Sequence, residues 1–246
     1  MKKTSKVAKI YDDYVAHLNA EKSKRYEGME EWFHSSAAGL CARKHYFSSI
    51  EKVTGSEIDS DTLRLFRLGD VIHEEIQNAI RWYAKDNGSR IFIEKEIFID
   101  DLNVRGFIDL VMIDDGVLYD IKSCNGWKWK TIFGKKYYNP DSAKNYMLQT
   151  ATYAYWYNEF FIPDHVDIPK LKSIALLFYN KDTSQIRELA VPMSCIQDAV
   201  DYWHNVNESI IEGKPPVRLG FAPVLSWECS EKYCSYYEAC GGGIHK

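Results

Sequence analysis

The chain has 246 residues, of which 46% are hydrophobic and 27% charged, a balance typical of one globular domain with room for a helical addition. A formal net charge of -4 excludes a uniformly basic surface, although it is compatible with a local basic groove. No run approaches roughly eighteen apolar residues and the Met-Lys-Lys start lacks an apolar signal core, so we expect no membrane span, no secretion and a cytoplasmic location. Six cysteines in such a chain favour metal ligation over disulfide bonds.

The first part of the chain predicts helices. Residues 5–20 form an amphipathic pattern that is typical of a cap or lid. Its apolar positions recur at helical spacing: Val7, Ile10, Tyr11, Tyr14, Val15 and Leu18. Ser35 or Ser36 can then cap a short helix that carries Cys41. Residues 51–61 are polar and predict a loop.

Residues 62–83 predict the next helix. One stripe of this helix contains Gly69, His73, Ile76 and Ile80. His73 therefore points toward the buried face, and a glycine one turn earlier would let the helix lie close to a sheet. A lone histidine on such a face is more often a satisfied core residue. An imidazole is also a good ligand for a divalent metal ion, and a hairpin with two aspartates follows.

Residues 91–99 predict a strand, and residues 105–122 predict a hairpin with a turn of Asp-Asp-Gly sequence. Period-2 alternation places Asp120 and Lys122 on one face, and strand pairing can bring Asp109 to the same face. Two facing carboxylates repel each other unless a cation lies between them, and their oxygens suit Mg²⁺ or Mn²⁺. Such an ion would activate a water for attack on a phosphate, and Lys122 would add positive charge. An ordinary solvated hairpin explains the same pattern.

On the preceding strand, Glu94 and Glu96 share a face and are candidates for an additional metal or water ligand. A half-exposed strand face accounts for these two glutamates equally well.

Aromatic and lysine side chains alternate through residues 127–138, which we call the aromatic–lysine segment. Its members are Trp127, Lys128, Trp129, Lys130, Phe133, Lys135, Lys136, Tyr137 and Tyr138. Aromatic faces stack on bases and lysines follow phosphates, so this segment predicts a nucleic-acid contact. A mobile, solvated loop with some aromatic packing is the alternative.

Residues 143–160 predict a helix on which Gln149 and Tyr153, at positions i and i+4, point the same way. A buried strand at 171–179 and an amphipathic helix at 194–212 follow.

The tail contains three closely spaced cysteines: Cys229, Cys234 and Cys240. Together with one distant cysteine they form a ligand set for a metal or an iron–sulfur cluster. Cys41 is the natural fourth ligand, because Cys195 lies inside a helix pattern and Cys124 lies beside the hairpin. Zinc held by the tail cysteines and His245 is one alternative, and unrelated free thiols are another.

Four short patterns occur in order along the chain: GxxxH from Gly69 to His73, GxxD from Gly106 to Asp109, DxK from Asp120 to Lys122, and QxxxY from Gln149 to Tyr153. In this order the chain resembles the RecB-like nucleases of the PD-(D/E)XK superfamily. The Ser-Ser…Cys-x-Arg-Lys setting and the tail cysteines resemble its iron–sulfur branch. That branch contains the CRISPR-associated RecB-like exonucleases and the AddB-type nuclease domains. The resemblance spans residues 34 to 240.

The resemblance implies an α/β (α+β) fold, with a mixed central sheet flanked by helices and a helical and iron–sulfur cap. It implies that His73, Asp109, Asp120 and the backbone carbonyl of Ile121 hold Mg²⁺ or Mn²⁺, and that Lys122 is the catalytic lysine. Gln149 and Tyr153 would support the lysine and the DNA backbone. A [4Fe–4S] cluster would be held by Cys41, Cys229, Cys234 and Cys240.

One feature departs from the family pattern. The family often spaces its first two tail cysteines by two residues, whereas four residues separate Cys229 and Cys234 here. Asp109 ends a Gly-Phe-Ile-Asp run without the proline of the superfamily's name, which is common among RecB-like members.

We therefore expect one compact unit made of a helical cap at 1–60, a nuclease core at 61–212 and a cluster segment at 213–246. Its expected activity is metal-dependent exonucleolytic cleavage of single-stranded DNA. Helicase, recombination or CRISPR-adaptation proteins would be its partners, and it would serve CRISPR adaptation, recombination and repair, or phage DNA processing. The alternative is a non-catalytic DNA-binding or scaffold module of a recombination or CRISPR-adaptation complex.

Overall fold

A six-stranded mixed sheet forms the centre of the protein in the part of the chain that the structure describes. The structure is a computed structural model, and it describes residues 5–24, 31–51, 58–220, 224–225 and 227–241. The strands are β1 (Phe33–His34), β2 (Ile91–Ile99), β3 (Val104–Met112), β4 (Val117–Cys124), β5 (Ser173–Asn180) and β6 (Ile186–Val191). The helices are α1 (Lys6–Ser23), α2 (Ala42–Glu51), α3 (Ser60–Asn87), α4 (Gly126–Phe133), α5 (Lys144–Trp156) and α6 (Cys195–Glu212).

Strand β3 connects the two halves of the sheet. It pairs with β2 in antiparallel fashion along its length and with the short β1 in parallel. The predicted hairpin is confirmed, because β3 and β4 pair in antiparallel fashion with Leu110 opposite Tyr119 and Met112 opposite Val117. Parallel pairing of β4 with β5 and antiparallel pairing of β5 with β6 complete a mixed sheet. The predicted fold, a mixed central sheet flanked by helices, is therefore confirmed.

Helix α3 begins and ends, and helix α6 ends, as their sequences dictate. Asp59 caps α3 by accepting a hydrogen bond from the Thr62 backbone N–H, which would otherwise lack a helical partner. Gly88 ends this helix in the left-handed conformation, with φ of 67°, which glycine adopts without steric cost. Gly213 ends α6 in the same way, with φ of 66°.

The core lies between the sheet and helices α5 and α6. Buried aliphatic side chains from β2, β3, β4 and β5 meet the small and aromatic residues of the two helices. Members of this core include Ile97, Ile99, Ile108, Leu118, Ala151, Ala154, Phe178, Tyr202 and Trp203. Helix α3 lies against β3 and β4, so one helix and one hairpin meet at the place where the sequence predicts chemistry.

Two strands were missed in the sequence, and part of one predicted loop lies outside the described residues. The short strand β1 and the edge strand β6 were not predicted; β6 is largely exposed and lacks a buried alternating face. Residues 52–57 of the predicted polar loop lie outside the described residues, and Ser60 already belongs to α3. The division into a cap at 1–60, a core at 61–212 and a cluster segment at 213–246 stays a prediction.

Within the described ranges, every helix is too short or too polar to cross a lipid bilayer.

A buried histidine links α2 to α6. The Nε2 atom of His45 lies 3.1 Å from the hydroxyl oxygen of Tyr202, which itself donates to the Leu40 carbonyl at 2.8 Å. Nε2 therefore carries a proton and donates to Tyr202, so the ring is neutral when only this nitrogen is protonated. Burial lowers the pKa of His45 to about 4.

This histidine makes the fold sensitive to acid. Its folded pKa lies below the value of about 6.5 in an unfolded chain, so the unfolded state binds more protons as the pH falls. The resulting stability is complete above about pH 6.5 and declines toward pH 4, by about 3 kcal/mol in total. We expect His45→Gln to weaken the fall of the unfolding free energy between pH 7.5 and pH 4. His17→Gln, at an exposed position of α1, is the matched control. Equal pH slopes for all three proteins in urea titrations would contradict this assignment.

Candidate active site

The β3–β4 hairpin brings two aspartates and a lysine together. One step beyond the pair of Leu110 and Tyr119, the same register places Asp109 opposite Asp120. The Ile121 backbone N–H donates to Asp109 Oδ2 at 2.7 Å, and Lys122 Nζ lies 2.7 Å from Asp120 Oδ2. The predicted convergence of these side chains is thus confirmed, while their chemical roles stay predictions.

His73 joins this group from α3. Its Nδ1 atom lies 3.7 Å from Asp109 Oδ2, and its side chain is half-buried. Burial and the nearby Lys122 ammonium lower the pKa of His73. A neutral imidazole is the form that binds a metal ion, so the position and the protonation state of His73 both suit a ligand.

Burial sets the protonation of the two aspartates. It raises the pKa of Asp109 to about 6, against the opposing effect of Lys122. It likewise raises the pKa of Asp120 to about 6, where the neighbouring Asp109 carboxylate adds to the effect. Burial alone would lower the pKa of Lys122, but the charges of Asp120 and Asp109 outweigh it and raise that pKa. The lysine is therefore cationic, and a further positive charge would favour two ionised aspartates.

The donor set fits a divalent cation. Asp120 is fully buried, and among the described residues its Oδ1 atom has no hydrogen-bond partner. An unsatisfied buried acceptor costs about 1–3 kcal/mol, which a bound cation would recover. In the described ranges no three His, Cys, Asp or Glu side chains already have the spacing of a metal centre. The chemistry of His73, Asp109 and Asp120 therefore suits Mg²⁺ or Mn²⁺, whose binding would draw the ligands together.

A hydrogen-bonded chain from α5 fixes the lysine. Lys122 Nζ donates to Gln149 Oε1 at 3.1 Å, and Gln149 Nε2 donates to the Tyr153 hydroxyl at 3.0 Å. Ser35 Oγ donates to the same hydroxyl at 2.8 Å. Burial raises the pKa of Tyr153, so its hydroxyl keeps its proton. The predicted pair of Gln149 and Tyr153 does meet at the sheet. Ser35, which the sequence suggested only as a helix cap, is the second hydrogen-bond partner of the Tyr153 hydroxyl.

Gly106 allows this chain to form. A β-carbon at this position would lie 2.0 Å from Ser35 Oγ and 2.9 Å from Tyr153 Cε1, closer than non-bonded atoms approach. Gly69 is different, because a β-carbon there would meet only Ser123 Oγ, at an ordinary 3.5 Å. The expectation that a glycine at position 69 is what brings α3 close to the sheet is therefore wrong.

The two glycines should respond oppositely to alanine. We expect Gly106→Ala to lower the unfolding free energy by about 2 kcal/mol or more through overpacking, and to reduce any activity that needs Lys122. Gly69→Ala should instead raise the unfolding free energy by up to about 1 kcal/mol, because alanine is the better helix former. Thermal unfolding of both variants gives the comparison. A Gly106→Ala protein as stable as Gly69→Ala would show that the Ser35–Tyr153 contact can shift without cost.

Sequence reasoning missed Gln77 and only partly found Glu94. Gln77 Nε2 donates to Glu94 Oε1 at 2.7 Å and lies 3.3 Å from the Asp109 carbonyl oxygen. Glu94 has φ of 53°, a left-handed conformation that is uncommon within a strand. The Gln77 amide holds this carboxylate near His73 and Asp109, although Glu94 and Glu96 are both exposed residues. Gln77 lies four residues after His73, so the helical spacing was the signal that could have found it.

The aromatic–lysine segment is a helix in its first half, so the alternative of a solvated loop does not hold for residues 126–133, and the nucleic-acid contact stays a prediction. Asn125 caps α4 by accepting from the Lys128 backbone N–H. The Lys128 ammonium points inward and donates to the Ser142 carbonyl. Trp129 packs against Phe133, at 4.6 Å between ring centroids. The exposed members are Trp127, Lys130, Lys135, Lys136, Tyr137 and Tyr138.

The four predicted cluster ligands line one pocket. Cys41, Cys229, Cys234 and Cys240 are among the residues that line a solvent-open space of about 350 Å³ between α2 and the tail. Arg43 Nη1 lies 3.5 Å from the Cys240 sulfur, so a positive charge is present beside the thiols. Cys124 is buried in the core and does not line this pocket. Thiols beside cations have the chemistry that suits an iron–sulfur cluster or zinc, but among the described residues these four do not already have the spacing of a metal centre. His245 of the alternative zinc site lies outside the described residues.

Glu228 joins the tail to α2. Its buried carboxylate accepts from the Cys41 backbone N–H at 2.8 Å and lies 3.3 Å from Lys44 Nζ. We expect Glu228→Ala to lower the unfolding free energy by about 2 kcal/mol, because a hydrogen bond to a buried charge is lost. Glu231→Ala removes an exposed carboxylate three residues away and should change the unfolding free energy little. Chemical unfolding measures both, and equal values would mean that Glu228 does not anchor the tail.

Comparison with known proteins gives further evidence on the fold. No model of a protein family matches the chain, and no curated protein sequence does. The crystal structure of SSO0001 aligns over 94% of this chain and 96% of that chain, with a TM-score of 0.54 and 15% identity. A candidate exonuclease from Eubacterium rectale aligns over 86% and 91%, with a TM-score of 0.48 and 14% identity. The alkaline exonuclease LHK-Exo from Laribacter hongkongensis aligns over 78% and 93%, with a TM-score of 0.44 and 12% identity.

At sequence identities this low, structural similarity is evidence for a shared fold only. The TM-scores of the two exonucleases are too low to support even that conclusion. Nearly the whole chain thus shares its fold with SSO0001.

Proposed function

We propose that this protein is a Mg²⁺- or Mn²⁺-dependent deoxyribonuclease of the PD-(D/E)XK type, which hydrolyses phosphodiester bonds. The convergence of His73, Asp109, Asp120 and Lys122, with a buried Asp120 oxygen that lacks a partner among the described residues, carries this proposal. An ordinary solvated hairpin would not bury Asp120 completely or raise the pKa of both aspartates.

The residues have distinct roles in the proposed reaction. His73, Asp109, Asp120 and the carbonyl of Ile121 would hold the ion. When bound, that ion supplies a Lewis acid for the phosphate and lowers the pKa of a coordinated water. Side chains of the protein would stabilise the charge that develops on the phosphate.

Lys122 stabilises the charge that develops on the phosphate. Its ammonium carries three donors, of which Asp120 and Gln149 orient two, so the third can point toward a phosphate oxygen. The chain from Gln149 to Tyr153 and Ser35 keeps the lysine in this position. Preorganised donors of this kind contribute more than flexible ones, because they need no reorganisation during the reaction.

We further propose that the substrate is single-stranded DNA, digested from an end, and that the four-cysteine pocket holds a structural [4Fe–4S] cluster or zinc. Support comes from the position of this pocket, which joins α2 to the tail and shares Glu228 with a second pocket beside α5. A cap at this place would limit access to strand ends. That the protein works with others in recombination, CRISPR adaptation or phage DNA processing is a proposal supported by the family resemblance alone.

Cleavage assays test the proposal. Full-length protein purified without oxygen should degrade linear single-stranded DNA with Mn²⁺ or Mg²⁺ and should be inactive with EDTA. Circular single-stranded DNA of the same sequence should resist, since it offers no end. Broad absorbance near about 400 nm from the same sample would indicate an iron–sulfur chromophore. Rapid cleavage of the circle would overturn the exonuclease assignment. Tight DNA binding without any cleavage would favour a non-catalytic binding module.

A further inference from the structure

A pocket outside the catalytic group lies between α4, the start of α5 and the tail. It is open to solvent and includes about 470 Å³ of space. Its lining includes Lys128, Asp141, Lys144, Tyr146 and Trp227. We call it the Tyr146 pocket. Neither the metal ligands nor the four cysteines explain this combination of lysine and aromatic side chains.

One aromatic ring separates the Tyr146 pocket from the catalytic lysine. Lys122 Nζ and Lys128 Nζ each lie 5.2 Å from the centroid of the Tyr146 ring. Both ammoniums therefore border the same side chain. A polynucleotide whose phosphate contacts Lys122 has its adjoining nucleotide within reach of this pocket.

The charge of the pocket favours an anion. The Lys128 ammonium donates to the Ser142 carbonyl, and since an ammonium carries three donors it can also donate to a ligand. Lys144 Nζ lies 3.0 Å from Asp141 Oδ1 in a half-exposed ion pair. The other acidic residue of the lining, Glu228, is already engaged by Lys44 and by the Cys41 backbone. The lining thus carries two lysines and two carboxylates, and with Lys44 beside Glu228 the cations outnumber the carboxylates by one.

The pocket also offers a flat aromatic surface. Trp227 is 56% exposed, which is unusual for a large aromatic side chain. Its ring lies 6.1 Å from that of Tyr233 at an angle of 81°, so an edge contact holds it in place. Lysines beside an exposed aromatic face are the combination that binds single-stranded nucleic acid, because bases stack on the ring while phosphates meet the cations.

We propose that the Tyr146 pocket binds the nucleotide next to the scissile phosphate of a single strand. Its base stacks on Trp227, and its phosphate contacts Lys128 and Lys144. This assignment rests on the proposed function for the place of the scissile phosphate, while the binding itself needs no catalysis.

Binding without catalysis gives the test. Anisotropy of a fluorescent oligothymidylate, titrated with the full-length protein in EDTA, should show about tenfold weaker binding for Trp227→Ala. Lys128→Met should weaken binding severalfold. Trp82→Ala and Lys172→Met are matched controls at exposed positions outside the pocket, and they should bind as the unaltered protein does.

A variant of opposite sign excludes misfolding as the cause. Asp141→Asn removes the carboxylate that competes for Lys144, so it should tighten binding severalfold. Absence of binding by the unaltered protein would overturn the proposal, and so would pocket variants that bind like their controls. A tighter Asp141→Asn together with weaker Trp227→Ala supports it. Cleavage assays run in parallel with Mn²⁺ test the nuclease assignment separately, since a protein that binds through this pocket but never cleaves contradicts only that assignment.

Discussion

Asp120→Asn should reduce metal-dependent DNA cleavage by about a thousandfold or more while leaving DNA binding in place. An ion at this site contributes several kcal/mol to the stabilisation of the transition state, and each 1.4 kcal/mol is about a factor of ten in rate. Asparagine has the shape of aspartate but lacks the charge that would balance the ion. The amide oxygen of the asparagine can still accept from Lys122 Nζ, and Asp109 keeps a carboxylate near that ammonium, so the loss of stability should be small compared with the loss of cleavage.

The matched control for this variant is Asp115→Asn, an exposed residue of the hairpin turn. It makes the same chemical change on the same hairpin and should retain full cleavage. Initial rates on labelled single-stranded DNA, with anisotropy for binding, measure both effects. An active Asp120→Asn protein would remove the main support for the proposed metal site. Loss of both binding and cleavage, with a lowered melting temperature, would indicate that the fold had failed.

Cys234→Ser should remove the structural metal that we propose for the four-cysteine pocket and lower the melting temperature by about 10 °C or more. A structural metal in a small cysteine site contributes on the order of 10 kcal/mol, and losing one of four ligands forfeits a large share of it. In a chain of this length each kcal/mol corresponds to roughly 2–4 °C. The effect should be large because the pocket joins α2, near the start of the chain, to its end.

Cys195→Ser provides the comparison, because Cys195 is half-buried at the start of α6 and does not line the four-cysteine pocket. Its melting temperature should fall far less, and its content of iron or zinc should not change. Elemental analysis and calorimetry on anaerobically purified proteins distinguish the two variants. Equal melting temperatures, with no metal in the unaltered protein, would mean that these cysteines are unrelated free thiols.

The hairpin shows how far local sequence can predict a site. Alternating apolar residues and an Asp-Asp-Gly turn suffice to define β3, β4 and their antiparallel pairing. That pairing in turn places Asp109 opposite Asp120 and sets Lys122 beside them. Each step depends on residues that are close in sequence, and strand periodicity makes their geometry nearly independent of the rest of the protein.

Helical spacing gives comparable information on α3 and α5. The positions of His73 and of Gln149 with Tyr153 follow from a period of 3.6 residues. The same period, applied from His73 to position 77, would have added Gln77. The sequence alone thus determined the strands and helices that carry the site, and the face of each element on which its side chains lie.

Tertiary packing decided which side chains became partners. Ser35 meets Tyr153 across 118 positions of the chain, and the small volume of Gly106 permits it. Lys128 points inward because the Ser142 carbonyl and the Tyr146 ring lie within its reach. No local period encodes such contacts, since they depend on how separate elements pack and on which buried polar groups then need partners. For the same reason the sequence supplied four cysteines and two lysines, whereas only the fold placed them in two adjoining pockets.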